Sequence, residues 1–164
     1  MKFTVTILLV LLSLQVRGQS VIPAWGQERF QKWADKYTLA NYMKPQFLQK
    51  DFSGDKKLDL ALLVERKIDK KKGILFLFGQ TDKSLVVGAG KTLSDGGDNF
   101  DWADSWEIFE NKLVHETTFK ENGDVDEIRE VSLDKPAIRI TEREGSGGLI
   151  YFDGKEFIWI HQGD

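Results

Sequence analysis

Five residues at alternate positions could hold a metal ion: Asp51, Ser53, Asp55, Lys57 and Asp59. Three bring carboxylates, Ser53 a hydroxyl, and Lys57 its backbone carbonyl. Calcium is a hard cation that takes several such oxygens in a flexible cage, from positions 1, 3, 5, 7 and 9 of a coiled loop. Alternate spacing matters because coiling turns every second group inward. Position 6 of such a loop calls for glycine, which makes the sharp turn. Here Lys56 stands there, and the glycine is two places earlier, at Gly54. A non-glycine residue held at positive φ costs about 1–2 kcal/mol. Lys50, Lys56 and Lys57 also offset the three aspartate charges. The same residues admit a plainer reading: Asp51, Ser53 and Gly54 form an Asx-type turn ahead of a strand.

Other chemistry has less to work with. The chain has no Cys, so thiol nucleophiles, disulfides and a lipoprotein anchor are excluded. His115 and His161 lack a metal-type partner four residues away, and no His-Glu-x-x-His occurs. Gly145-Ser146-Gly147 lacks the intervening residues of a nucleophile elbow. Paired carboxylates can hydrolyse glycosides, but among 26 acidic residues no pair stands out. No catalytic set and no enzyme activity are expected. The second candidate site is the stretch Asp95–Trp106, which combines aspartates, Gly96, Gly97 and aromatics in one long loop. Such a loop could bind a protein or a glycan, with Trp102 or Trp106 as a stacking platform. That would make the chain a secreted recognition or inhibitor-like module. The observation that would favour it is a shared end of the sheet for this loop and Gly145–Gly148.

The run Asp51-Phe52-Ser53-Gly54-Asp55, then Asp59 and the apolar Leu60-Ala61-Leu62-Leu63-Val64, resembles the calcium loop of FG-GAP and VCBS repeats. In those repeats the loop enters a strand directly. Position 12 is Leu62, which suits that variant better than an EF-hand with its bidentate Glu. The resemblance covers one loop and one strand. It implies calcium as the cofactor and Asp51, Ser53, Asp55, Lys57 and Asp59 as the ligands. Glu121 to Asp126 is a faint echo, and its Asn122-Gly123 core reads as a hairpin turn. The whole chain also resembles a group of short secreted bacterial proteins. It shares with them the single Gly-Asp-type loop and the closing hairpin from Tyr151 to Trp159. That resemblance implies no activity; it implies a periplasmic or secreted location.

These residues must be positioned by a mostly β chain. Residues 1–18 read as a secretory signal peptide: a basic start, an apolar core from Thr4 to Leu14, and small residues before a cut after Gly18. Residues 19–164 then form a single α+β domain. No stretch is long enough to span a membrane. The formal net charge is −3, and the leader removes two basic residues, Lys2 and Arg17. A modestly acidic domain is a poor partner for nucleic acid. A monomer is expected.

Phe30, Trp33, Ala34 and Tyr37 share one helical face, predicting a helix from Ala24 to about Tyr37. Pro45 cannot continue a helix. Strands are predicted over Leu58–Ile68, Ile74–Phe78, Ser84–Gly88, Trp106–Phe109, Lys112–Phe119, Asp126–Leu133, Ala137–Glu142, Leu149–Phe152 and Glu156–Ile160. Lys67–Lys72 reads as a solvated hairpin tip and Gly145–Gly148 as a hairpin connection. The expected architecture is an N-terminal helix packed on an antiparallel meander sheet of roughly seven to nine strands.

Overall fold

Leu60 to Val64 are five successive apolar residues, all fully buried. A strand of this kind has to be covered on both faces, and the fold is layered outward from it. The computed structural model describes residues 21–143, 145 and 147–163. The signal-peptide expectation for residues 1–18 lies outside the described residues.

In chain order the elements are α1 (Ala24–Gln31), β1 (Tyr37–Leu39), β2 (Phe47–Lys50), β3 (Asp59–Arg66), β4 (Lys72–Leu77) and β5 (Ser84–Gly88). There follow a short 3-10 turn at Ser94–Gly96, then β6 (Ser105–Phe109), β7 (Leu113–Phe119), β8 (Val125–Ser132), β9 (Ala137–Thr141), β10 (Gly147–Phe152) and β11 (Phe157–Gln162). β3, β4 and β5 pair in sequence, all antiparallel. β1 and β2 share the remaining side of β3: Tyr37–Leu39 pairs with its C-terminal end and Phe47–Lys50 with its N-terminal end. A second antiparallel sheet runs β11-β10-β9-β6, and β7-β8 is a separate two-stranded ribbon. The first sheet thus comes wholly from residues 37–88 and the second from residues 105–162.

Side-chain alternation then sets the layers. Ala61, Leu63, Ile74 and Phe76 face Ile138, Ile140, Ile150, Phe157 and Trp159 of the second sheet in one buried cluster. Phe76 stacks on Phe157 with ring centroids 3.8 Å apart. The other face of the first sheet, Leu60, Leu62, Val64, Leu75 and Leu77, is covered by Ile22, Phe30, Trp33 and Tyr37. Ala137, Leu149, Tyr151 and Ile160, on the outer face of the second sheet, lie under Val114 and Val131 of the ribbon, with Leu133 beside them. The order is helix, sheet, sheet, ribbon.

The α+β, mostly β class holds, with antiparallel pairing throughout. The single meander sheet divides into two facing sheets and a ribbon, with eleven strands among the described residues. The division follows from burial: strands apolar on both faces in each half need a second layer. The helix is shorter than predicted, ending at Gln31. The chain then turns, with Trp33 N–H donating to Phe30 O and Tyr37 N–H to Trp33 O, so the predicted face still packs on the sheet. Pairing of Tyr37–Leu39 with β3 overrides the helical periodicity. The segment between β1 and β2 folds over the edge of the sheets, burying Met43. There the Trp106 indole N–H donates to Pro45 O at 2.7 Å, tying β6 to this segment. Trp106→Phe loses that bond and part of the buried ring, so a fall of about 2–3 kcal/mol in stability is expected from the urea midpoint.

Candidate functional site

The Asp51–Asp59 loop joins β2 to the central strand β3. Phe52 anchors it: the ring is 1% exposed and meets Phe76 edge-on at 5.7 Å. The Asp51 carboxylate is the hub. Its Oδ1 accepts the amides of Gly54 (2.7 Å) and Asp55 (3.1 Å), and its Oδ2 that of Lys56 (2.8 Å). Ser53 Oγ lies 3.4 Å from Asp51 Oδ1. Gly54 and Lys56 are both left-handed, at φ 81° and 67°. The turn that made Lys56 costly is therefore adopted. Three successive charge-assisted amide bonds offset the strain, since bonds to an ionised acceptor are about twice as strong as neutral ones.

Asp59 closes the loop from the other end and is fully buried. Its Oδ2 accepts the amides of Phe52 and Ser53, both at 2.9 Å, and its Oδ1 that of Gly79 at 2.7 Å. Burial pushes this carboxyl above the ordinary carboxylate range, opposed by the bonds from Gly79, Ser53 and Phe52. The Gly79 contact depends on a close backbone approach: a Cβ there would sit 2.3 Å from Leu58 O. Arg29 of α1 holds the same turn, donating to Phe78 O and Lys83 O. The sequence reading missed both Gly79 and Arg29. The glycine that ends the apolar β4 run was the available signal for the first; nothing local marked the second.

Of the five ligand candidates, Asp51, Ser53 and Asp59 are joined through hydrogen bonds at the loop's base. Asp55 turns to its own backbone, its Oδ1 accepting Lys57 N–H at 2.9 Å. Among the described residues no group of three His, Cys, Asp or Glu side chains is placed to hold a metal ion. The donors present are all oxygens, which suit a hard cation and not a thiophilic metal. Any ion would lean on the Ser53 hydroxyl and the Lys57 carbonyl as well as on carboxylates. No family model, curated protein or solved structure matches this chain. A functional reading therefore has to come from the site's own chemistry.

The second candidate, Asp95–Trp106, is held down along much of its length. Phe100 is fully buried and Trp106 is 3% exposed, so Trp106 is a core residue and not a stacking platform. Asn99 Oδ1 accepts Lys72 N–H, Asp98 pairs with Lys71, and Asp104 Oδ2 accepts Arg143 N–H. Of the aromatic residues in this stretch, Trp102 stays half-exposed. It does meet Gly147: the two loops share one end of the sheets, where Trp102, Asp95 and Gly147 line a single cleft. Gly147 and Gly148 themselves belong to β10, pairing with Gln162 and His161, instead of forming a hairpin connection. Gly148 is required there because Trp159 lies flat on its backbone; a Cβ would fall 2.3 Å from Trp159 Cζ2. Ser146 of that run lies outside the described residues. His115 is exposed and His161 half-buried at the rim. Among the described residues no helix is long and apolar enough to cross a membrane.

Proposed function

We propose that this chain is an exported, non-enzymatic domain whose Asp51–Asp59 loop takes up calcium. The observation that carries the reading is the Asp51 hub, which gathers three successive amides around one carboxylate and bends the backbone left-handed at Gly54 and Lys56. That bend is what coils an alternating-oxygen loop, and an ion would add ligands from Ser53, Asp55, the Lys57 carbonyl and Asp59. A second feature supports it. Asp59 is buried with amides as its partners and forms no salt bridge among the described residues. A cation beside it would favour its ionised form. The ion's role would be to staple the crossing loop to the central strand.

The competing reading is a self-capped turn that needs no ion. It is favoured by the same amides, which already occupy both carboxylates. Thermal unfolding of residues 19–164 separates the two. At a hundredfold excess over Kd, binding to the folded state alone adds about 2.7 kcal/mol. For a chain of this size that is a rise of roughly 5–10 °C in Tm. The expected result is such a rise with calcium and none with magnesium. Asp55→Ala should abolish the rise, and in chelator should lower the Tm only slightly, through the exposed turn bond from Lys57 N–H. Equal losses in calcium and in chelator would leave the loop a turn.

A further inference from the structure

The inward-facing positions of the second sheet are apolar until they reach one end. Along β9 and just beyond it they run Ile138, Ile140, Glu142; along β11 they run Phe157, Trp159, His161. Gly148, opposite His161, contributes no side chain. Two ionisable residues thus occupy positions that elsewhere belong to the core, beside a glycine covered by the Trp159 indole. The loop bearing Asp95 and Trp102 closes the other side. The result is a cleft of about 220 Å³ at the end of the sandwich, with Asp95, Trp102, Glu142, Trp159 and His161 around it.

One polar atom in this wall has no partner. The Trp159 indole Nε1 is buried and finds no hydrogen-bond acceptor among the described residues. Buried donors in native structures are nearly all satisfied, and the exceptions call for an explanation such as a bound group. The indole itself is clamped: Gly96 and Gly148 pack against its rings, and Trp102 meets it edge-on at 6.2 Å and 89°. The ring is held too tightly to turn its N–H elsewhere.

We propose that this cleft binds a single pyranose ring, the terminal residue of a glycan. The lining asks for opposite things at once. The orphaned indole N–H needs an acceptor, whereas the Asp95 and Glu142 carboxylates need donors. A sugar hydroxyl is both, and hydroxyl bonds to a carboxylate are of the stronger, charge-assisted kind. The apolar face of a pyranose, its ring C–H groups, suits the half-exposed Trp102 indole. A simple ammonium would satisfy the carboxylates and the aromatic faces, but it offers the indole N–H nothing. The small size of the cleft, about 220 Å³, suits one ring. The cleft shares no residue with the Asp51–Asp59 loop, and this inference does not rest on calcium binding.

The test is a two-dimensional 1H–15N NMR titration read at the indole resonances. Trp159→Phe assigns the Trp159 peak by its disappearance. The probes are methyl glucoside, methyl galactoside, methyl mannoside and N-acetylglucosamine up to tens of millimolar, with tetramethylammonium as the cationic arm. The expected result is a saturable shift of the Trp159 indole peak with at least one sugar. In the double variant Asp95→Asn, Glu142→Gln, both sites being exposed, the fitted Kd should rise about tenfold. Trp102→Ala should weaken the same sugar at least as much, with the remaining amide spectrum confirming the fold. No shift with any sugar overturns the proposal. So does an unchanged Kd in the double variant, or a shift with tetramethylammonium alone.

Discussion

Asp59→Ala is expected to cost about 3–5 kcal/mol, a large share of the stability of any ordinary domain. The carboxylate is fully buried and receives three amides, two from the start of its own loop and one from Gly79, across the sheet. Alanine leaves the Ser53 and Gly79 N–H groups without their acceptor, while Phe52 N–H keeps Lys50 O at 3.1 Å; each orphaned buried donor costs about 1–3 kcal/mol. The loss should appear as a lower urea midpoint with an unchanged slope. A pH signature separates this group from a neutral acceptor. Burial raises its folded-state pKa above the unfolded value, so the folded chain holds the proton more tightly. The corresponding stability is present in full below the unfolded pKa and is lost as pH rises through the folded one. Wild type minus Asp59→Asn should therefore fall with rising pH across and just above the usual carboxylate range. Taking the difference removes the opposite slopes of Asp69, Asp82, Asp134 and Asp153, whose pKa values lie below the ordinary range. A flat difference curve would mean that the amide bonds offset the burial of the Asp59 charge in full.

Phe76→Ala should be comparably damaging. Phe76 is fully buried, stacks on Phe157 at 3.8 Å and takes the edge of Phe52 at 5.7 Å. It is a side chain at which the first sheet, the second sheet and the Asp51–Asp59 loop meet. Phenylalanine-to-alanine changes in cores cost about 3–5 kcal/mol, transfer and cavity together. Ile128→Ala is the control: Ile128 is 68% exposed on β8, and its loss should stay within about 0.5 kcal/mol. If Phe76→Ala cost no more than this control, the two sheets would not depend on each other through that contact. Far-ultraviolet circular dichroism in urea, followed against tryptophan fluorescence, measures both variants.

The strands were legible where local chemistry decided them. Ser84–Gly88 is a strand over the predicted residues, and Lys67–Lys70 form an exposed tip as their charges required. The predicted closing hairpin formed, with β10 paired to β11 as far as Phe152 opposite Phe157. What stayed hidden was long-range. Nothing in Tyr37-Thr38-Leu39 says that it will pair with Arg66, Glu65 and Val64, so a helical period was followed one turn too far. Nothing in Leu58–Val64 says which of two apolar faces meets a helix and which a second sheet. At the loop, the carboxylate spacing was legible, and so was the cost at Lys56. The amides that converge on Asp51 and Asp59 were not, because Gly79 is 20 residues away in sequence from Asp59. Trp106 looked like a platform because its neighbours are acidic; it is buried in the core between the sheets, and its N–H is taken by Pro45 O, 61 residues earlier.

Each sheet is built from its own half of the chain, residues 37–88 for the first and 105–162 for the second. Pairing within a half closes mostly short loops, whose entropy cost grows only slowly with length. During synthesis the amino-terminal half leaves the ribosome first. It can complete its own ladder while the second sheet is still being made. Until then Ala61, Leu63, Ile74, Phe76 and Val87 present an uncovered apolar plane. That interval, not the finished molecule, is when this chain is most exposed to aggregation, and it is when a chaperone would have something to hold.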